Sequence, residues 1–398
     1  MAQLPYVKID YGNGALGQTI ASADGLLCLI IVGATAVASA FDLAKLYPLN
    51  KPADLEKLGV TAENNPLLYK AANDFYTEAV EGTKVYIIGY PETLTMSAVL
   101  DKNNPYARNI IETTNGEVRG LIITKKAAAE PTVTNGLDSD MEAAKLNAQA
   151  LGEWATEVRY APIFTLIDGL SFDGDPEALT DMTKQSYNRV GVVIGDTTQS
   201  SANQAVGIIA GRIAVSAVQR NIGRVADGSL GVLNMYAGDT AVELADISTI
   251  LGKGYITFRT FTGISGYYIA DDPLATMPTD DYNEITRRRV IDKAYRIAYA
   301  VLVQKLVDEI PVNKDGTMIE TYAASFELAV ENAIATNMTA NGELSSDPQD
   351  SSDRGVECHV DRTINVLSTS KVQAEVRVRP LGYGKYINVL LGFTVVTG

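Results

Sequence analysis

Near the start of the chain, Val7, Ile9 and Tyr11 alternate with Lys8 and Asp10, the period of a short strand. Gly12 and Gly14 break that pattern. The uncharged run 25–41 (GLLCLIIVGATAVASAF) follows, and it predicts a buried strand over 26–32 running into a helical piece over 36–47 that ends at Pro48. A second helical pattern at 67–79 leads to a compact strand at 84–89, stopped by Pro91. From about 116 to 220, apolar runs at 118–124, 162–167 and 190–194 alternate with helical patterns at 139–158, 177–185 and 202–219. That alternation argues for an α/β sheet with helices packed on it.

The most regular helix is expected over 281–310. Asp281 and Glu284 resemble a capping box, and Ile291, Ala294, Ala298, Val301, Leu302 and Leu306 form an apolar stripe. Arg287, Arg288, Asp292 and Lys293 lie opposite that stripe. Another helix over 319–335 and a polar loop over 341–355 precede a β-rich tail. There Val372, Ala374, Val376 and Val378 alternate with Gln373, Glu375, Arg377 and Arg379, a half-buried strand ended by Pro380. Gly382 and Gly384 form a flexible joint, after which Ile387, Val389, Leu391, Phe393 and Val395 share one face of a last strand over 385–396.

Composition narrows the function. Of 398 residues, 46% are hydrophobic, ample for more than one core. A net charge of −15 argues against nucleic-acid binding and against docking on an anionic membrane, because phosphate would repel such a surface. Cys28 and Cys358 make no disulfide framework, so an intracellular origin is the simpler expectation. The first ten residues, MAQLPYVKID, lack the pattern of a secretory leader. Run 25–41 is just long enough to span a bilayer, but Asp24 and Asp42 bound it without flanking Lys or Arg, so no membrane insertion is expected.

Motifs for chemistry are incomplete. Gly12, Gly14 and Gly17 match a dinucleotide fingerprint in spacing, which makes a cytoplasmic α/β nucleotide-cofactor enzyme the alternative reading. That motif needs a buried strand before it and a helix after it, and here the preceding strand is short and alternating. His359, the only histidine, neighbours Cys358 in a strand pattern, where adjacent side chains point to opposite faces. The carboxylates Asp138/Asp140, Asp173/Asp175 and Asp347/Asp350/Asp353 do not complete a calcium loop. No cofactor, metal or catalytic residue is assigned. Arg287, Arg288 and Arg289 are expected in ion pairs within or between subunits.

Both ends share one design: a short strand beside glycines, Tyr6, Val7, Ile9 and Tyr11 with Gly12 and Gly14, and 385–396 with Gly382 and Gly384. A lone terminal strand forms a sheet poorly and invites pairing with another chain. Each arm is therefore expected to add a strand to a neighbour's sheet, a heterologous contact that builds rings or open helices.

The chain resembles the contractile tail sheath proteins of bacteriophages and related injection machines. The likeness runs through the segment 51–59, the Phe75–Tyr76 pair ahead of a strand, the Ala/Gly-rich helix around Ala210 and Gly211, and above all 252–310. There a glycine-led strand, Thr257-Phe258-Arg259-Thr260 and a Tyr-Asn-Glu-Ile-Thr-Arg-Arg segment open a long helix. The Trp-Gly that precedes the Arg-Thr in many sheaths is absent. The resemblance implies a mixed α/β (α+β) multi-domain fold, with mixed sheets flanked by helices and extended N- and C-terminal strand arms. It implies arms over 1–20 and 381–398, α/β parts over 21–115 and 116–230, and a C-terminal core over 231–380. It further implies a helical homopolymer that sleeves an inner tube and contracts to drive it through a target envelope. Its partners would be the tube, baseplate and tail terminator proteins. Its place would be a virion tail or injection particle assembled in the bacterial cytoplasm.

Overall fold

Both faces of strand β1 (Leu27–Val32) are buried, which is why its sequence reads as an unbroken apolar run. The structure, a computed structural model, describes residues 23–350 and 352–392. Around β1 lie β2 (Tyr47–Leu49), β3 (Val85–Tyr90), β4 (Gly120–Lys125), β5 (Phe164–Asp168) and β6 (Val190–Val193), in the order β2-β3-β1-β4-β5-β6. All neighbours are parallel except β2, which pairs antiparallel with β3 at one edge. Leu27, Leu29 and Ile31 face helices α1 (Pro66–Glu78) and α5 (Val206–Val215). Cys28, Ile30 and Val32 face α2 (Met96–Leu100), α3 (Pro105–Thr113) and α4 (Met141–Arg159). Helices on both faces of a mostly parallel sheet make a doubly wound α/β layer. The expected boundary between 115 and 116 falls inside this sheet, because β1 pairs with both β3 and β4.

Two expected helices are absent. Over 36–47 the chain turns back on itself, with positive φ at Ser39 and Ala44 and a bridge from Val37 to Phe41. Phe41 is wholly buried in the core, so tertiary packing overrides a weak local helix pattern, and Pro48 sits in edge strand β2 instead of ending a helix. Over 177–185 there are only two 3₁₀ turns, Pro176–Ala178 and Met182–Lys184. Asp175 and Asp181 accept hydrogen bonds from the backbone two residues on, which favours short turns over a helix.

The long helix α6 spans Ile285–Leu302, shorter than expected at both ends. Its start is set not by Asp281 but by the distant Asp272, whose carboxylate accepts from Thr286 N at 2.9 Å while its carbonyl accepts from Ile285 N at 2.9 Å. Arg288, Arg289 and Asp292, opposite the expected stripe, are buried, as is Ala294 of the stripe itself, whereas Leu306 of that stripe is exposed. Polar contacts hold that face to the sheet's surroundings. Asp24 bonds Lys293 at 2.9 Å and Arg296 at 2.8 Å, and both Arg288 and Arg189 reach Asp292.

The chain divides into two units, Met1–Arg296 and Ile297–Gly398, so the second begins within α6. In the second unit α7 (Glu320–Asn337) buries Ala323, Phe326, Val330 and Ile334. An antiparallel hairpin of β9 (Val356–Val360) and β10 (Ala374–Val378) directs Val356, Cys358 and Val360 inward. The first unit also holds a further hairpin, β7 (Phe258–Phe261) with β8 (Ile264–Ile269).

Helices α1 and α5 touch through glycine. A Cβ on Gly207 would stand 2.4 Å from Ala71 O, and one on Gly211 2.2 Å from Phe75 O, so no larger residue fits without parting the helices. Gly211→Ala should lower stability by about 1–3 kcal/mol in chemical denaturation; unchanged stability would show that the helices do not meet there. Asp168, at the end of β5, is wholly buried and accepts from Asn203 Nδ2 at 2.8 Å, Gln204 N at 2.9 Å and Thr124. Burial pushes its carboxyl up to about 7, against the pull of those donors. With the folded value above the unfolded one, its contribution to stability is full below pH about 4 and is lost as pH rises toward 7. Asp168→Asn should therefore flatten the melting-temperature profile across that window; parallel profiles for both proteins would refute the assignment.

Candidate functional site

Strand β10 presents an open edge. In the hairpin register Asp361 N bonds Gln373 O and Arg379 N bonds Gly355 O, both at 2.8 Å. Inward-bonding residues alternate in an antiparallel pair, so the N–H and C=O groups of Ala374, Val376 and Val378 point away from β9. Among the described residues no partner strand takes them, since the sheet has only two strands.

The opposite edge is closed by side chains. Helix α7 lies along β9 and supplies Glu331, which accepts from Cys358 N at 2.9 Å, and Glu327, which accepts from Val360 N at 2.7 Å. Arg362 grips Glu327 with both terminal nitrogens, at 2.8 and 3.0 Å, and reaches Glu320 at 2.7 Å. That guanidinium, first among the causes, holds the Glu327 carboxyl below its usual range. Carboxylates on an outer edge block strand addition. The hairpin is thus open on one side only.

Beside the start of β10 runs an apolar groove of about 1250 Å³, lined by residues including Leu306, Val307, Phe326, Val366, Leu367 and Ala374. Leu306, Val307 and Leu367 are largely exposed. Val307 takes φ of 62°, a strained value for a β-branched residue, and its side chain stands clear of the fold.

The expected C-terminal arm is described as far as residue 392. Residues 381–392 form no strand within this chain, and Ile387, Val389 and Leu391 are 82%, 76% and 92% exposed. Around Gly382 and Gly384 an added Cβ would meet nothing within 4 Å. Phe393 and Val395, and at the other end Tyr6, Val7, Ile9, Tyr11, Gly12 and Gly14, lie outside the described residues.

The arginine triplet is used inside the chain. Arg288 bonds Asp292 at 2.7 and 3.0 Å and stacks on Tyr282, Arg289 donates to Ser216 O at 2.8 Å, and Arg287 lies 3.5 Å from Glu284. Arg288 and Arg289 are both buried, where a guanidinium needs its partners fixed.

Among the described residues Cys358 and His359 do not converge on one site. His359 is 74% exposed with Nδ1 3.6 Å from Glu327, while Cys358 points inward and burial raises its thiol to about 11. Among the described residues no group of three or more His, Cys, Asp or Glu could hold a metal ion, and no helix is long and apolar enough to cross a membrane. The Gly12–Gly17 motif lies outside the described residues.

What sequence reading missed is the sealing of β9. Its signal was faint: Glu327 and Glu331 stand one helical turn apart on α7, a spacing that puts both on one face.

Comparison of the structure with solved ones finds the same fold in contractile injection particles. A chain of the anti-feeding prophage baseplate matches with a TM-score of 0.63 and 15% identity, covering 99% of this chain and 100% of that one. The helical sheath of the anti-feeding prophage in its contracted state matches at 0.61 and 17%, covering 99% of each chain. The contracted sheath complex of the extracellular contractile injection system PVC matches at 0.59 and 14%, covering 98% of each. A comparison with curated protein sequences finds no match. Family profiles of DUF2586 match residues 4–273 with its N-terminal domain and 281–398 with its C-terminal domain, and the chain belongs to the DUF2586 family.

Proposed function

We propose that this chain is the structural subunit of a contractile sheath, polymerising as a helical sleeve around an inner tube. The observation that carries the reading is an open strand edge and an exposed apolar terminal segment on one molecule, in a fold it shares with chains of assembled sheaths. A donor strand and an acceptor edge at different places make a heterologous contact, which propagates instead of closing on a dimer. Main-chain ladders between copies persist while bodies swing about Gly382 and Gly384, whose surroundings are free of neighbours.

In this role the protein performs no chemistry. The work comes from free energy stored on assembly in the extended sleeve and released when the bodies repack. The α/β layer is the rigid body that moves, and the hairpin is the link that survives. The partners are further copies of the chain, the tube inside the sleeve, and the baseplate and terminator at its two ends. The particle is a phage tail or a phage-derived injection machine, assembled in the bacterial cytoplasm.

Removal of residues 385–398 should leave a body with unchanged melting and circular dichroism that forms no tubes in negative-stain microscopy. Normal tubes from the truncated chain would contradict the reading of that segment as a link.

A further inference from the structure

A small cavity lies where β4 and β5 begin, against the first turns of α6, and we propose that it binds one halide-sized anion such as chloride. Its volume is about 10 Å³, room for one body the size of a water molecule. Arg119, Arg289 and Arg296 line it together with Asp24, Asp292, Phe164 and Val218. Arg119 immediately precedes β4, and Arg289 and Arg296 stand seven residues apart on α6, a spacing of two turns on one face.

The charges around the cavity do not balance among the described residues. Its two carboxylates are each shared between cations: Asp24 bonds Lys293 at 2.9 Å and Arg296 at 2.8 Å, and Asp292 bonds Arg288 at 2.7 Å and lies 3.5 Å from Arg189. Arg189, Arg288, Arg289 and Asp292 are all buried. Glu117 and Glu153, which act on Arg119 and Arg189, are exposed, so solvent screens them. Buried charge of one sign in excess is costly unless a counter-charge joins it. Burial, and next the Arg296 charge, bring the Arg119 guanidinium down to about 10, which leaves it charged at neutral pH.

Size and chemistry choose the ion. Phosphate and sulfate carry four oxygens around a centre and need more room than this cavity has. A water molecule fits, but it is neutral and leaves the excess charge in place. Guanidinium groups are weakly hydrated and pair well with weakly hydrated anions, and Phe164 and Val218 give the ion an apolar wall. Bromide should therefore bind at least as well as chloride. Bound there, the ion joins the entry of β4 to two turns of α6, beside the direct pairs through Asp24 and Asp292.

The test melts the full chain in sodium chloride, sodium bromide and sodium gluconate at one ionic strength, gluconate being too large for the cavity. Chloride and bromide should raise the melting temperature over gluconate by about 2–4 °C, and the rise should saturate. Arg119→Gln should increase the chloride concentration at half-effect at least about tenfold, because a charged partner of the ion is lost. Lys57→Gln, at an exposed lysine far along the chain, should keep the dependence of the unaltered protein. Chlorine magnetic resonance reads the site without melting: the unaltered chain should broaden the chloride line, and added bromide should reverse the broadening. Equal melting in all three salts, the same chloride dependence in Arg119→Gln, or a chloride line that the protein leaves sharp would overturn the assignment. The cavity would then hold water or a carboxylate of the polypeptide.

Discussion

A strand edge cannot be left unbonded at little cost once water is excluded from it, and the hairpin of the second unit has one such edge. The N–H and C=O groups of Ala374, Val376 and Val378 are solvated in the lone chain, and half-buried valines lie beside them. Exposed edges of this kind normally carry protection against stray pairing. Here the protection is one-sided: Glu327 and Glu331 occupy the β9 edge, and Arg362 fixes Glu327 in place. The asymmetry turns a hazard into a directed joint, because an incoming strand has one place to go.

The rest of the molecule suits a body carried by such joints. The six-stranded layer is packed on both faces, and helices α1 and α5 approach so closely that only glycine fits at Gly207 and Gly211. Charged groups then tie the start of α6 to that layer through Asp24, Lys293, Arg296 and Asp292. Buried pairs of this sort add little net stability, yet losing one partner leaves a charge stranded. Their consequence is geometric: the helix holds one position on the layer up to Arg296.

The sheet was legible where one physical signal dominated. Runs 26–32, 84–89, 118–124, 162–167 and 190–194 are apolar on both faces, and each coincides with a strand of the central sheet to within two residues. Helices α1, α4 and α7 were equally plain from their periodicity. Failure came where a distant contact decided the outcome. Phe41 plugs the core and turns 36–47 into a loop, and Asp272, outside the helix pattern altogether, sets where α6 begins. Which acceptors the arginines of α6 would find was not legible for a related reason: a periodicity count does not name partners, and Arg288 and Arg289 find theirs in Asp292 and Ser216. For the assembly surface, alternation gave β10 and the exposed apolar segment after Gly384, but which edge stays open depends on α7, and no pattern within the tail contains that.

Amide hydrogen exchange, compared between the monomer and the polymer, addresses the edge itself. The account predicts rapid exchange at Ala374, Val376 and Val378 in the monomer and strong protection once tubes form, while Cys358 and Val360, already bonded to Glu331 and Glu327, change little. Unaltered exchange at Ala374, Val376 and Val378 in assembled tubes would contradict it.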